Sequence, residues 1–130
     1  MRKCLIFVCA AILCFSLCSC GNVNNVTYTI GDSAYFSHEE IQSAMDFVKQ
    51  YFLYHRPGCT LHNLTYNEQY AHDHYGHGAD GTIVIMDGFT TGKNPPFGMD
   101  PDTPYCWDWL VSKIQGTDHW QITGAGESGT

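Results

Sequence analysis

The chain has 130 residues, six basic and 13 acidic, and a formal net charge of −7. That length is one small domain able to bury a core, and an acidic surface repels phosphate backbones, which disfavours nucleic acid as a partner. No internal repeat is visible, so solenoids and arrays are set aside.

The chain begins with Met1, Arg2 and Lys3, followed by an unbroken apolar run from Cys4 to Leu17. A membrane-spanning helix needs about 20 apolar residues, so the run is short for a span. A basic start followed by such a run is the layout of a secretory signal. It ends in Leu17-Cys18-Ser19-Cys20-Gly21. This stretch resembles the bacterial lipobox, with Cys18 as a slightly unusual small residue. The resemblance implies a lipidated Cys20 as mature first residue, diacylglycerol on its thiol, and attachment to the outer face of a bacterial cell membrane. The plainer readings are an ordinary secretory signal or an uncleaved anchor. The expected organisation is a signal over 1–20, a flexible tether over 21–27, one domain over 28–126 and a disordered tail over 127–130. Beyond residue 20 four basic residues, Lys49, Arg56, Lys93 and Lys113, face 13 acidic ones, a formal charge of −9.

Val26–Ile30 reads as a short strand. Ser37 with Glu40 three residues later is a capping box, and Phe36 with Ile41 is placed as a hydrophobic staple. A helix is predicted from His38 to Tyr54, with Ile41, Ala44, Met45, Val48 and Phe52 as its apolar stripe. Pro57 pushes Arg56 out of helical geometry and Pro57-Gly58 ends the helix. Strands are then expected over Cys59–Glu68, Thr82–Thr91, Tyr105–Ile114 and His119–Thr123. The second of these reads as a central strand, with Gly88 marking a bulge. The third carries Tyr105, Trp107, Trp109 and Val111 on one face and Cys106, Asp108, Leu110 and Ser112 on the other. Gln115–Asp118 is a short hairpin connection, and the last residues are expected to fray. The segments between Gln69 and Gly81 and between Gly92 and Pro104 read as long connections.

The predicted fold is therefore α+β: one N-terminal helix packed across a curved antiparallel sheet, in the order strand, helix, four strands. The arrangement resembles cystatin-like and nuclear-transport-factor-like (ketosteroid-isomerase-like) folds, and the ending WLVSKIQGTDHWQITGAG is similar to the closing hairpin of that superfamily. FSHEEIQSAMDFVKQYF followed by GCTLHNLTYNE resembles a family of small uncharacterised lipoproteins and receptor-tail domains of Gram-positive bacteria. The shared residues are core and cap residues, so the resemblance implies a fold and no chemistry.

Cys59 and Cys106 remain once the leader is set aside. In a meander one strand lies between them, a separation of about 9 to 10 Å. A disulfide needs Cα atoms within about 7 Å, so no bridge is expected.

The densest chemistry lies in YAHDHYGHGADG, Tyr70 to Gly81. In an extended segment His72 and His74 point to one side as a chelate pair. His77 can fold back, and Asp73 or Asp80 can complete a site for Zn²⁺, Cu²⁺ or Ni²⁺. The plainer reading is a hydrated loop, because a single flexible segment loses entropy when it wraps an ion and no HExxH or CxxC partner accompanies it. The aspartates Asp100, Asp102 and Asp108 lack the spacing and closing Glu of a calcium loop. For an enzyme, Asp87, Asp108, Tyr66 and Tyr105 are the in-sheet candidates, since a carboxyl buried in an apolar cone acquires a raised pKa. Tyr105, Trp107 and Trp109 form either core against the helix or, if turned outward, a face for a peptide, glycan or protein. The expected role is non-enzymatic binding of a ligand or partner at the cell surface. A metal-binding lipoprotein and a small ketosteroid-isomerase-like enzyme are the alternatives.

Overall fold

In a computed structural model the described residues are 20–76 and 80–128. Residues 1–19 of the signal expected over 1–20, His77 with its two successors, and the last two residues lie outside them. Five strands and two helices follow in the order β1 (Thr27–Ile30), α1 (His38–His55), β2 (Thr60–Tyr66), α2 (Glu68–Tyr75), β3 (Ile83–Thr90), β4 (Pro104–Lys113) and β5 (Trp120–Glu127). The strands form one open sheet in the order β1-β2-β3-β4-β5.

The α+β class stands, with two corrections to the expected layout. The sheet is mixed: β1 runs parallel to β2, while the other neighbours are antiparallel. The cause is the long crossover. A helix of 18 residues returns the chain to the end of the sheet where it began, so the next strand runs the same way. The second correction is α2, which replaces part of the expected loop. Asn67 caps it by accepting from the Tyr70 N–H at 3.0 Å, and Gly76 ends it in the left-handed region at φ 65°.

α1 forms as its sequence directs. Ser37 Oγ accepts from the Glu40 N–H at 3.1 Å. Arg56 leaves helical geometry at φ −125°, ψ 63°, as the proline after it requires. The stripe Ile41, Ala44, Met45, Val48 and Phe52 is buried against Leu61, Leu64, Ile83, Ile85, Phe89, Trp109 and Val111. β3 is the central strand and is buried on both faces at its start. The bulge near Gly88 falls on the neighbouring strand. Leu61 pairs with Phe89 and Asn63 with Gly88, so His62 is the extra residue. A Cβ on Gly88 would lie 2.8 Å from Asn63 Nδ2, which is why the smallest residue sits there.

The segment expected to be a tether is docked. Gly21 is buried, its N–H donates to the Leu53 carbonyl at 2.9 Å, and Asn22 forms an isolated bridge with Thr60. The last strand is longer than expected and runs to Glu127, and the Ser128 N–H donates to the Cys106 carbonyl at 2.9 Å. Cys59 and Cys106 are both free thiols, on or beside strands separated by β3.

Candidate functional site

The strand pleat sends Asp87 of β3 and Trp107 and Trp109 of β4 to the face covered by α1, because Asp87 pairs with Trp107 and Ile85 with Trp109. Asp87 is 2% exposed. Its Oδ1 accepts the Trp107 backbone N–H at 2.9 Å and its Oδ2 accepts the Trp109 indole N–H at 2.6 Å. Burial pushes its carboxyl up to about 7, against the downward pull of those two bonds and of Arg56.

Arg56, fixed at the end of α1, is 5% exposed. Its guanidinium lies 4.6 Å from the Trp107 ring, 4.9 Å from Phe97 and 5.1 Å from Trp109. Cation–π contacts of this kind contribute about 0.5 to 2 kcal/mol each, more as water is excluded. Asp87 draws on the guanidinium through space, yet among the described residues no carboxylate forms an ion pair with it. Burial pulls Arg56 below its ordinary value and Asp87 partly restores it. Two buried donors in this cluster, Arg56 Nε and the Trp107 indole N–H, have no acceptor among the described residues. A buried donor left unmet costs about 1 to 3 kcal/mol. The cluster thus holds a cation with an unused Nε–H, a carboxyl that titrates near 7 and an unused indole N–H, under a Phe97 that is 73% exposed.

The aromatic face Tyr105, Trp107 and Trp109 turns inward. Trp109 is 2% exposed and meets the Tyr51 ring at 5.6 Å, and Tyr105 stacks on Phe89 at 5.8 Å. Trp109 is therefore core, and Tyr105 and Trp107 are half-buried on the same face, Trp107 beside the Arg56 cluster.

Asp108 lies on the opposite face and is fully buried. Its Oδ2 accepts the Tyr70 and Tyr75 hydroxyls, each at 2.6 Å, and its Oδ1 accepts the Ser128 hydroxyl. This carboxylate ties α2 and the end of β5 to the sheet. Burial, then Asp108 itself, pushes the Tyr75 hydroxyl above its ordinary range. Tyr66 donates to Glu68 Oε1 at 2.9 Å, and Glu68 also accepts from Ser33 and from the Ala34 N–H. Burial raises the Tyr66 hydroxyl to about 12. For Glu68, burial pushes the carboxyl up, but the bonds from Ser33, Ala34 and Tyr66 outweigh it and hold it below the usual range. These groups fasten the chain before α1 to the start of α2. Asp87 and Asp108 therefore do not share a site.

Of the proposed metal ligands, the described ones, His72, Asp73, His74 and Asp80, do not converge, and His77 lies outside the described residues. His72 and His74 sit on α2, where residues two apart point about 200° apart around the axis. The His74 Nδ1–H donates to the Tyr70 carbonyl at 3.0 Å and the ring stacks on Tyr70 at 4.0 Å. His72 faces its neighbour Asp73 at 3.4 Å in solvent. Asp80 accepts the Thr82 N–H at 3.0 Å. Among the described residues no three His, Cys, Asp or Glu side chains converge on a point where an ion could sit. Arg56, the centre of the buried cluster, was not among the candidate site residues read from the sequence. The available signal was a basic residue just before a helix-ending Pro-Gly, in a chain with few other cations.

Among the described residues no helix is long and apolar enough to cross a membrane. Comparison with protein-family models, with curated proteins and with solved structures finds no match to this chain.

Proposed function

We propose that this chain is a membrane-anchored extracytoplasmic lipoprotein, attached through Cys20, whose domain binds a ligand or partner rather than transforming one. The sequence motif at Cys20 supports the anchor, and the resemblance to cystatin-like and nuclear-transport-factor-like folds supports a binding scaffold. The observation that carries the binding reading is the Arg56 cluster. A guanidinium with no ion pair among the described residues, whose own Nε–H and the neighbouring Trp107 indole N–H are both unmet there, is matched by a ligand bearing a carboxylate or similar acceptor group. Phe97 is the outer wall that such a ligand would share or displace.

The three indole N–H groups make the test direct. Trp109 donates to Asp87 and Trp120 to Ser43, whereas Trp107 has no acceptor among the described residues. In ¹⁵N spectra of the full chain in micelles, acetate added at constant ionic strength is expected to move the Trp107 indole signal and leave that of Trp120 in place. A Trp107 signal that stays fixed, or that moves no differently in an Arg56→Gln variant, overturns the reading.

A second reading, proton transfer in a small isomerase-like enzyme, has one observation behind it: the Asp87 carboxyl near 7. Both of its oxygens are already engaged and the residue is buried, so a substrate would have to displace an indole first. If acetate leaves the Trp109 signal unmoved, Asp87 stays closed and binding remains the better account.

A further inference from the structure

We infer that the end of the domain formed by Cys20, the last turn of α1 and the 91–103 loop rests on a lipid bilayer, with Phe97 inserted into it. This goes beyond the anchor, which fixes only that the chain meets a membrane, and rests on that reading for the entry point before residue 20.

The entry point is fixed on the domain. The Gly58 N–H donates to the Cys20 carbonyl at 3.4 Å, Gly21 donates to Leu53 at 2.9 Å and Asn22 to Cys59 at 2.8 Å. A Cβ on Gly21 would come within 3.0 Å of the Arg56 carbonyl, so the strand of chain leaving Cys20 lies tight against the helix end. The apolar run Cys4–Leu17 ends three residues before this point. With a lipid on Cys20, the bilayer begins at a residue that is itself hydrogen-bonded to the domain.

The 91–103 loop shares this end. A Cβ on Gly92 would lie 2.5 Å from the Gly58 carbonyl, the same residue that holds Cys20. The loop is braced from within: Thr91 N–H to the Thr103 carbonyl at 3.0 Å, Asp102 N–H to the Gly92 carbonyl at 3.0 Å, and Asp100 N–H to the Tyr105 hydroxyl at 2.9 Å. Phe97 stands at its tip at φ 59°, a backbone setting that non-glycine residues seldom take. It is 73% exposed, and Tyr54 in the last turn of α1 is 64% exposed; these are the two most exposed large apolar side chains among the described residues. Pro95 and Pro96 precede Phe97 and have no N–H to desolvate, which suits a loop tip entering lipid. Aromatic side chains are favoured at the level of the headgroups. The acidic domain gains nothing from anionic lipid, so the contact is apolar and is expected on a zwitterionic surface. In this orientation the Arg56 cluster lies at headgroup level.

The test uses the full chain in phosphatidylcholine vesicles whose acyl chains carry bromine, a quencher of indole fluorescence. Two variants are compared with the unsubstituted chain, which supplies the background of the native tryptophans. Phe97→Trp reports the proposed contact. Thr117→Trp reports the β4–β5 turn, about 34 Å away along a ten-residue strand. Vesicle flotation reports the anchor separately. The expected result is a several-fold larger bromine quenching for Phe97→Trp than for Thr117→Trp. A chain that floats yet shows equal quenching at both positions overturns the orientation and leaves the anchor intact. A chain that does not float overturns both.

Discussion

Asp87 and Asp108 lie on adjacent central strands and are almost equally buried, but they are solvated by the protein in different ways. Asp108 receives three hydroxyl hydrogen bonds, from Tyr70, Tyr75 and Ser128, drawn from two other parts of the chain. Asp87 receives two N–H bonds, both from β4, and its nearby cation, Arg56, is held by rings instead of by the carboxylate. The charged form of a buried carboxyl such as Asp87 is disfavoured when the donors facing it fall short of the water it has lost. Asp108 is thus a fastening that joins elements. Asp87 is an incompletely compensated group beside an incompletely compensated cation, which is the condition of a site with room for something else.

The largest effect expected from this difference is a pH dependence of stability that belongs to Asp87. In the folded chain it holds its proton up to about pH 7, and unfolded only up to about its ordinary 3.8. Between these values the folded state binds the extra proton, so stability falls as pH rises through the window and is level above it. The shift corresponds to about 4 kcal/mol. Glu68 acts in the opposite sense at lower pH: its folded value is depressed, so the stability it contributes is lost as pH falls through its usual range. Urea unfolding from pH 4 to pH 8 is expected to show the decline, and Asp87→Asn to flatten it. An unchanged slope in Asp87→Asn would assign the dependence to another group.

Asp108→Ala is expected to be next in size. It removes an acceptor shared by three half-buried hydroxyls, at a cost of about 3 kcal/mol, and it loosens α2 from the sheet. Its signature is local: amide exchange in α2 should rise more than in α1. Uniform loss of protection in both helices would make Asp108 a general core residue and erase the contrast with Asp87.

The same contrast explains what could be read in the sequence. α1 was legible almost to the residue because its cap, its stripe and its stop lie in consecutive positions. The strands and their faces were legible from alternation, including the shared face of Tyr105, Trp107 and Trp109. The direction of β1 was missed because a short strand before a helix carries no mark of which neighbour it will pair with. α2 was missed because its only buried apolar residue is Ala71, and a helix held by hydroxyls to a distant carboxylate leaves no periodic stripe. Its local marks, Asn67 and Gly76, were present but were overshadowed by the histidines. The Arg56 cluster joins positions 56, 87, 97, 107 and 109, and that convergence exists only in the folded chain. Asp87 was legible as an in-sheet candidate, whereas its role depended on a partner that spacing does not reveal.

The cap at Gly76 gives a smaller test of how far α2 depends on Asp108. Gly76 is at φ 65° with no neighbour near an added Cβ among the described residues, so Gly76→Ala strains the backbone and should cost about 1 kcal/mol. If Asp108 is the main fastening, that cost persists in full while α2 stays docked, and it shrinks in the Asp108→Ala background, where α2 is already loosened. Calorimetric melts of the two single variants and the double variant supply the coupling; strict additivity would mean that the cap and the carboxylate stabilise different events.

The smallest effect is expected at the histidines. His72 is exposed, and His74 is engaged with Tyr70 of its own helix. Replacing both by Ala should change stability by no more than about 0.5 kcal/mol. Because α2 separates the two rings around its axis, they cannot close on one ion while the helix is formed. Melts with Zn²⁺, Cu²⁺ and Ni²⁺ are therefore expected to respond equally in the parent chain and in the double variant. A metal-dependent rise in melting temperature that vanishes in the double variant would mean that α2 unwinds to chelate. The fastening by Asp108 would then be weaker than its three hydroxyl bonds imply, and the extended arrangement of His72 and His74 would be a second state of the molecule.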